Sequence, residues 1–198
     1  DKGLRIIEEI KKNFDLIIVS EIMESEKISN MIDLIDVFQI GARNMQNFPL
    51  ITNVARTLKP IILKRHFGSS IRDLLCAAEY ALIEKNEKVI LCERGVSVPH
   101  THRSSSRFLF DIEAIPAVQE NSCLPIIADP SHACFWHKWV EPLTLASVAA
   151  GADGLMIEFH PDPRNAAVDP LQPITFEEFE ILVKKTRELA SLFQKKII

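Results

Sequence analysis

Short apolar runs whose C-terminal ends carry reactive side chains constrain this chain more than any other feature. VFQIG (37–41) runs into Ala42, Arg43 and Asn44, and PIILK (60–64) ends on Lys64 beside Arg65. VILC (89–92) runs into Glu93 and Arg94, PIIAD (125–129) into Ser131 and His132, and GLMIE (154–158) ends on Glu158 with His160 just beyond. Strands buried on both faces of a parallel sheet read as near-continuous apolar runs, and β/α proteins gather their chemistry at the C-terminal strand ends. The pattern marks a β/α enzyme with one active face.

The 198 residues suit one substantial core, so a single domain over 1–198 is expected. A net charge of -4 argues against nucleic acid or an anionic membrane as the main partner, while local charge still permits small anionic substrates. No apolar run approaches the roughly 18–20 residues that span a bilayer, and no basic-then-apolar leader opens the chain. Cys76, Cys92, Cys123 and Cys134 form no CxxC pair, which points to a reducing cytoplasm. Asp1 falls directly into a helical pattern, so further residues are expected upstream.

Leu4, Ile6, Ile7, Ile10 and Phe14 recur at helical spacing. A β-branched run (16–22) follows, then a helical stretch near 24–34, a strand at 37–41, a helix over about 45–57 and a strand at 60–64. Ser69 and Ser70 can cap the next helix, which runs to Lys85. Strand 88–92 leads to a polar loop (95–107), a short helix from Asp111, strand 125–129, a helix ending near Gly151 and strand 154–158. Thr175 with Glu178 makes a capping box for a last helix over 176–194. Six strands alternate with helices. A closed (β/α)₈ barrel needs two more, whereas an open doubly wound sheet normally binds ligand near a Gly-rich first turn that this chain lacks. The expected fold is an α/β barrel without its first two strands.

Two constellations carry chemistry. His132, Glu158 and Asp169, from neighbouring strand ends and one following loop, could converge on a divalent ion; imidazole plus carboxylates suits Mn²⁺, Fe²⁺ or Zn²⁺. Spacing alone leaves a loop-bonded histidine and solvated carboxylates equally open. Arg43, Lys64, Arg65, Arg94 and Arg107 form the second group and suit phosphate and carboxylate recognition, against a reading as ion pairs to Glu21 or Glu93. Cys92 reads as a small buried hydrophobe. His66, His137 and His160 lack metal spacing, and His100 with His102 sits in a Ser-rich loop. Trp136 and Trp139 read as packing residues.

DVFQIGARNMQNF, PIILKR, VILCERG, DPSHA and GADGLMIEFHPDP, in that order, resemble 3-deoxy-7-phosphoheptulonate (DAHP) synthases of the branch related to 3-deoxy-octulosonate-8-phosphate synthase. The resemblance spans nearly the whole chain, and GARN followed by QNF favours the heptulosonate enzymes. It implies a (β/α)₈ TIM barrel with about six of eight βα units present. It also implies a cytoplasmic transferase of the shikimate pathway that condenses phosphoenolpyruvate with erythrose 4-phosphate. Arg43, Lys64 and Arg94 match phosphoenolpyruvate-binding positions, and His132, Glu158 and Asp169 match ligands of a divalent metal ion. Catalytic roles fall to Lys64, Arg94 and His132. A homo-oligomer is implied, with no nucleic-acid or membrane partner.

The departures are specific. The family's GPCS motif, with its metal-binding cysteine, and its KPRTSP motif are absent, so little synthase activity is expected of these 198 residues alone. Ala133, Cys134, Phe135, Trp136 and His137 stand where the family usually carries a glycine pair and basic residues. His66 replaces a usual glycine and Ser97 a common arginine, which leaves the acceptor-phosphate site least like the family's. The rival readings are a non-catalytic relative that binds phosphoenolpyruvate and a synthase that uses arabinose 5-phosphate.

Overall fold

The computed structural model describes residues 2–99 and 107–195. They form two compact units, one of residues up to His66 with Arg72–Leu91, the other of Phe67–Ile71 with everything from Cys92 onward.

The first unit opens with α1 (Lys2–Asn13) and continues through β1 (Val19–Glu21), a 3₁₀ turn and the one-turn α2 (Ile28–Met31). β2 (Val37–Ile40), α3 (Phe48–Ala55), β3 (Ile61–Lys64), α4 (Ile71–Ile83) and most of β4 (Val89–Glu93) complete it. β1, β2 and β3 pair in parallel with Val19 opposite Val37 and Ile40 opposite Leu63, and Ile61 N–H donates to Lys88 O at 2.8 Å to bring β4 beside β3. All four residues of β3 are buried, as the unbroken PIILK run requires.

The sequence-predicted bounds shift where side chains intercept the backbone. The 16–22 run narrows to three strand residues because the Asp36 carboxylate takes the Ile18 N–H at 2.8 Å. That bond, followed by one from Lys11, holds the Asp36 carboxyl below its ordinary range. The helix expected over 45–57 starts only at Phe48. Ala42–Asn44 forms a 3₁₀ turn, and the Asn47 side chain caps the helix by accepting the Leu50 N–H at 3.3 Å. The 24–34 stretch yields only a 3₁₀ turn and one α turn, neither with a buried residue, so no apolar face holds a longer helix together.

The second unit carries the end of β4, α5 (Ala114–Asn121), β5 (Ile126–Ala128), α6 (Pro130–Cys134), α7 (His137–Ala149), β6 (Gly154–Leu155) and α8 (Phe176–Leu192). Asp129 N–H donates to Glu93 O at 2.8 Å, placing β5 next to β4, and β6 pairs in parallel with β5. The strands therefore run in chain order, β1-β2-β3-β4-β5-β6. This is the βα succession of a (β/α)₈ barrel, with six units present. Cys134, Val140, Ile174 and Leu182 form a buried cluster covered by Trp139, Leu143, Ile157 and Phe179, so Trp139 packs as expected. No helix among the described residues is long and apolar enough to cross a membrane.

α8 starts at the expected capping box. Thr175 Oγ1 accepts the Glu178 N–H at 3.2 Å while the Glu178 carboxylate accepts the Thr175 N–H at 2.8 Å. Thr175→Ala should cost about 1 kcal/mol, read as a fall of roughly 2–4 °C in Tm for a chain of this size; an unchanged Tm would show that the box contributes nothing.

Candidate active site

β6 is shorter than the GLMIE run because its last residues bond elsewhere. Met156 N–H still reaches Ala128 O at 2.8 Å, but the Glu158 N–H donates to Ser131 Oγ at 3.0 Å. Phe159 then pairs with Ile174 across an isolated parallel bridge. Ile174 N–H donates to Glu158 O at 3.1 Å and His160 N–H to Ile174 O at 2.9 Å. The far end of the 159–173 loop is thereby fastened beside Glu158.

The DPSH segment folds into α6. Asp129 caps it by accepting the His132 N–H at 3.1 Å, and Pro130 occupies the first turn, where a missing N–H costs nothing. Asp129 and Ser131 are fully buried, whereas His132 is part-buried. The Asp129 carboxylate also lies 2.9 Å from His132 Nδ1. This carboxylate–imidazole contact keeps a proton on Nδ1 and leaves the neutral ring a lone pair at Nε2. Nε2 stands 3.6 Å from Glu158 Oε2, too far for a hydrogen bond. A cation bonded to an imidazole nitrogen and a carboxylate oxygen at about 2.0–2.2 Å holds them roughly 3.0–3.5 Å apart. The chemistry of this pair fits a divalent cation, and its spacing lies about 0.1 Å beyond that range.

Asp169, the third expected ligand, is engaged by a guanidinium. Its carboxylate pairs with Arg107, Nη2 to Oδ1 at 2.9 Å and Nη1 to Oδ2 at 3.5 Å. The Arg107 guanidinium in turn lies 3.7 Å over the ring of Phe135. Asp169 and Phe135 both adopt left-handed backbone, with φ of 49° and 54°. Aspartate tolerates that region, while phenylalanine is strained in it. Among the described residues no three His, Cys, Asp or Glu side chains gather closely enough to hold a metal ion.

Gln172 escaped sequence reasoning. It is fully buried and its Nε2 donates to Glu158 Oε2, while its Oε1 is buried without a partner. A glutamine between Leu171 and Pro173 in a Pro-rich stretch has no local signal; only the bridge at Ile174 brings it beside Glu158. The role of Asp129 was equally hidden, although the quoted motif contains it.

Arg94 follows β4 and is 7% exposed. Its Nη2 donates to His132 O at 3.1 Å, its guanidinium lies 4.3 Å over the Phe108 ring, and its Nη1 is buried without a partner. Burial pushes its pKa down, the Asp129 charge opposes that, and the like charge of Arg107 adds to it. Arginine starts so high that the group stays cationic. Gly95 lets the chain turn here: its φ is 94°, and a Cβ would meet Phe108 Cβ at 2.8 Å and Ala133 Cβ at 3.0 Å. Gly95→Ala should lower Tm by several degrees through both strain and clash; a Tm equal to wild type would show that the loop relaxes freely.

In the first unit, Lys64 is the buried last residue of β3, with Arg65 buried beyond it, and Arg43 lies exposed in the 3₁₀ turn after β2. Glu21 closes on the adjacent loop, where a Cβ on Gly41 would stand 1.9 Å from its Oε1. Cys92 is buried and Cys134 is a buried thiol pushed up to about 11, chiefly by desolvation, so both are packing groups. His160 Nδ1 accepts the Asp162 N–H, and Trp136 and His137 meet at a tilted 5.1 Å. His100 and His102 lie outside the described residues. A cavity of about 530 Å³ lies along α7, β6 and α8 and includes Asp153 and Gly154 at the start of β6. It is mostly apolar and holds none of the chemical groups above.

Phospho-2-dehydro-3-deoxyheptonate aldolase of Thermotoga maritima is 37% identical over 197 residues, which cover all of this chain and 57% of that protein. 2-Dehydro-3-deoxyphosphooctonate aldolase of Methylococcus capsulatus is 29% identical over 180 residues, 85% of this chain and 62% of its own length. The crystal structure of the Thermotoga maritima aldolase, a DAHP synthase, superposes with a TM-score of 0.94. A truncated form of the Thermotoga maritima 3-deoxy-D-arabino-heptulosonate 7-phosphate synthase gives 0.93, with this chain covering 74% of it. The chain thus spans little more than half the length of the full Thermotoga maritima relative. The model of the DAHP synthetase I family matches residues 1–195, and the chain belongs to that family.

Proposed function

We propose that this chain carries a site of a metal-dependent 3-deoxy-7-phosphoheptulonate synthase, which condenses phosphoenolpyruvate with erythrose 4-phosphate. The observation that carries the reading is the pairing of His132 Nε2 with Glu158, oriented by buried Asp129, beside an Arg94 whose Nη1 is buried and unpartnered. Family membership supports the substrate class.

His132 and Glu158 would hold a divalent cation of the Mn²⁺, Fe²⁺ or Zn²⁺ type, with Asp169 as a further donor in exchange for its pair with Arg107. When bound, that group supplies Lewis-acid polarisation of the aldehyde. Asp129 keeps the proton on His132 Nδ1, so that Nε2 stays a donor of electrons. Arg94 offers a desolvated, charge-assisted hydrogen bond to the phosphate or carboxylate of phosphoenolpyruvate, and Phe108 shields one face of its guanidinium from water. Arg43 and Lys64 are proposed as phosphoenolpyruvate-binding residues on their match to the family motifs alone. In the reaction C3 of phosphoenolpyruvate bonds to the aldehyde carbon, water adds at C2, and the C2–O bond to phosphate breaks as inorganic phosphate leaves.

The test is binding and turnover on the purified chain. Calorimetry should show Mn²⁺ binding that weakens at least about tenfold in His132→Ala and in Glu158→Ala, and phosphoenolpyruvate binding that both variants retain. Phosphate release with erythrose 4-phosphate but not arabinose 5-phosphate supports the heptulosonate reading. Phosphoenolpyruvate binding with no release for either sugar favours the non-catalytic relative, and absence of both ligands' binding overturns the proposal.

A further inference from the structure

The geometry points to Gln172 as a positioning residue that holds the Glu158 carboxylate toward His132. This rests on the reading of His132 and Glu158 as cation ligands and adds a residue that neither the sequence motifs nor the family match assigns.

Three observations converge on it. Gln172 is a fully buried polar side chain where the chain turns inward, after exposed Leu171 and before buried Pro173 and Ile174. Its backbone is pinned on both sides: its N–H donates to Asp169 O at 3.2 Å, and two residues on, Ile174 is clamped between Glu158 O and the His160 N–H. Its amide then spends one donor on Glu158 Oε2 and leaves Oε1 buried and unmatched. A buried carbonyl oxygen without a donor is costly, and an apolar side chain of the same size would avoid that cost. A glutamine at this position needs a reason beyond packing, and the Glu158 bond supplies it.

The bond is suited to that task. Glu158 has its backbone N–H on Ser131, and its carboxylate accepts from Gln172 on one side while facing His132 Nε2 at 3.6 Å on the other. A neutral N–H donor orients a carboxylate without neutralising it, so the oxygen atoms keep their full charge for a cation. An arginine in that role would compete for the ligand, as Arg107 does for Asp169. Partners one step removed from a metal that orient its ligands typically change affinity by about 10–100-fold when lost.

Gln172→Met keeps the length and burial and removes the donated hydrogen. Mn²⁺ affinity, read by calorimetry on the full 198-residue chain, should fall about 10–100-fold, while phosphoenolpyruvate affinity without metal stays within about threefold of wild type. A merely structural role would move both together or neither. Gln172→Leu is read in its place if the methionine variant does not fold. In Glu158→Ala the further change Gln172→Met should cost nothing more, because the accepting oxygen is already gone. Full Mn²⁺ affinity in Gln172→Met, beside a weakened Glu158→Ala, overturns this inference alone. Full affinity in Glu158→Ala overturns the metal-site reading beneath it.

Discussion

Arg94→Ala should abolish phosphoenolpyruvate binding at accessible concentrations while leaving the fold intact. The guanidinium is 7% exposed, with one arm on His132 O, one face on Phe108 and Nη1 with no partner. A hydrogen bond to a charged group contributes about 1.5–3 kcal/mol, and two such bonds to an anion lost together imply a rise in Kd of at least about a hundredfold. Losing the cation also withdraws the positive charge that faces buried Asp129, so Tm should fall by several degrees while the chain still folds. Arg94→Lys should not restore binding, because a point charge cannot stack on Phe108 and reach His132 O at once. A phosphoenolpyruvate Kd within about threefold of wild type in Arg94→Ala would remove Arg94 from the site.

Asp129→Asn should weaken Mn²⁺ binding by about 10–100-fold although asparagine caps a helix as well as aspartate does. Asp129 is fully buried and touches both His132 N and His132 Nδ1. An amide can face Nδ1 with its NH₂ group, which moves the ring proton to Nε2 and blocks the lone pair that would meet a cation. The substitution also withdraws the negative charge that opposes the desolvation of Arg94. Stability should therefore fall with metal affinity, by about 1–3 kcal/mol for a buried charge left without its counterweight. Calorimetry with Mn²⁺ and thermal unfolding read the two effects separately. An Asp129→Asn protein that binds Mn²⁺ like wild type would show that the tautomer of His132 is set by something else.

Both variants depend on contacts that no motif displays. The alternation of apolar runs and helical periods placed four strands to within about two residues because strand burial is a property of the run itself. It overextended β1 and β6, where the Asp36 carboxylate and the Ser131 hydroxyl take backbone N–H groups that a ladder would otherwise use. Thr175 and Glu178 announced the start of α8 because a capping box is closed by residues three apart. His132 and Glu158 were legible as strand-end residues, and they meet because β5 and β6 are parallel neighbours. Asp169 was legible as a carboxylate but not as the partner of Arg107, 62 residues away.

Local bonding and periodicity, written in consecutive residues, determined the βα order, the strand-end location of the reactive groups and the family of this chain. The tertiary structure alone decided which of those groups face one another: Asp129 behind His132, Gln172 beside Glu158, Arg107 on Asp169 and Phe108 under Arg94. The physical reason is that desolvation and hydrogen-bond partnership act through space. A side chain's chemistry is set by whatever the fold packs against it, however distant in the chain.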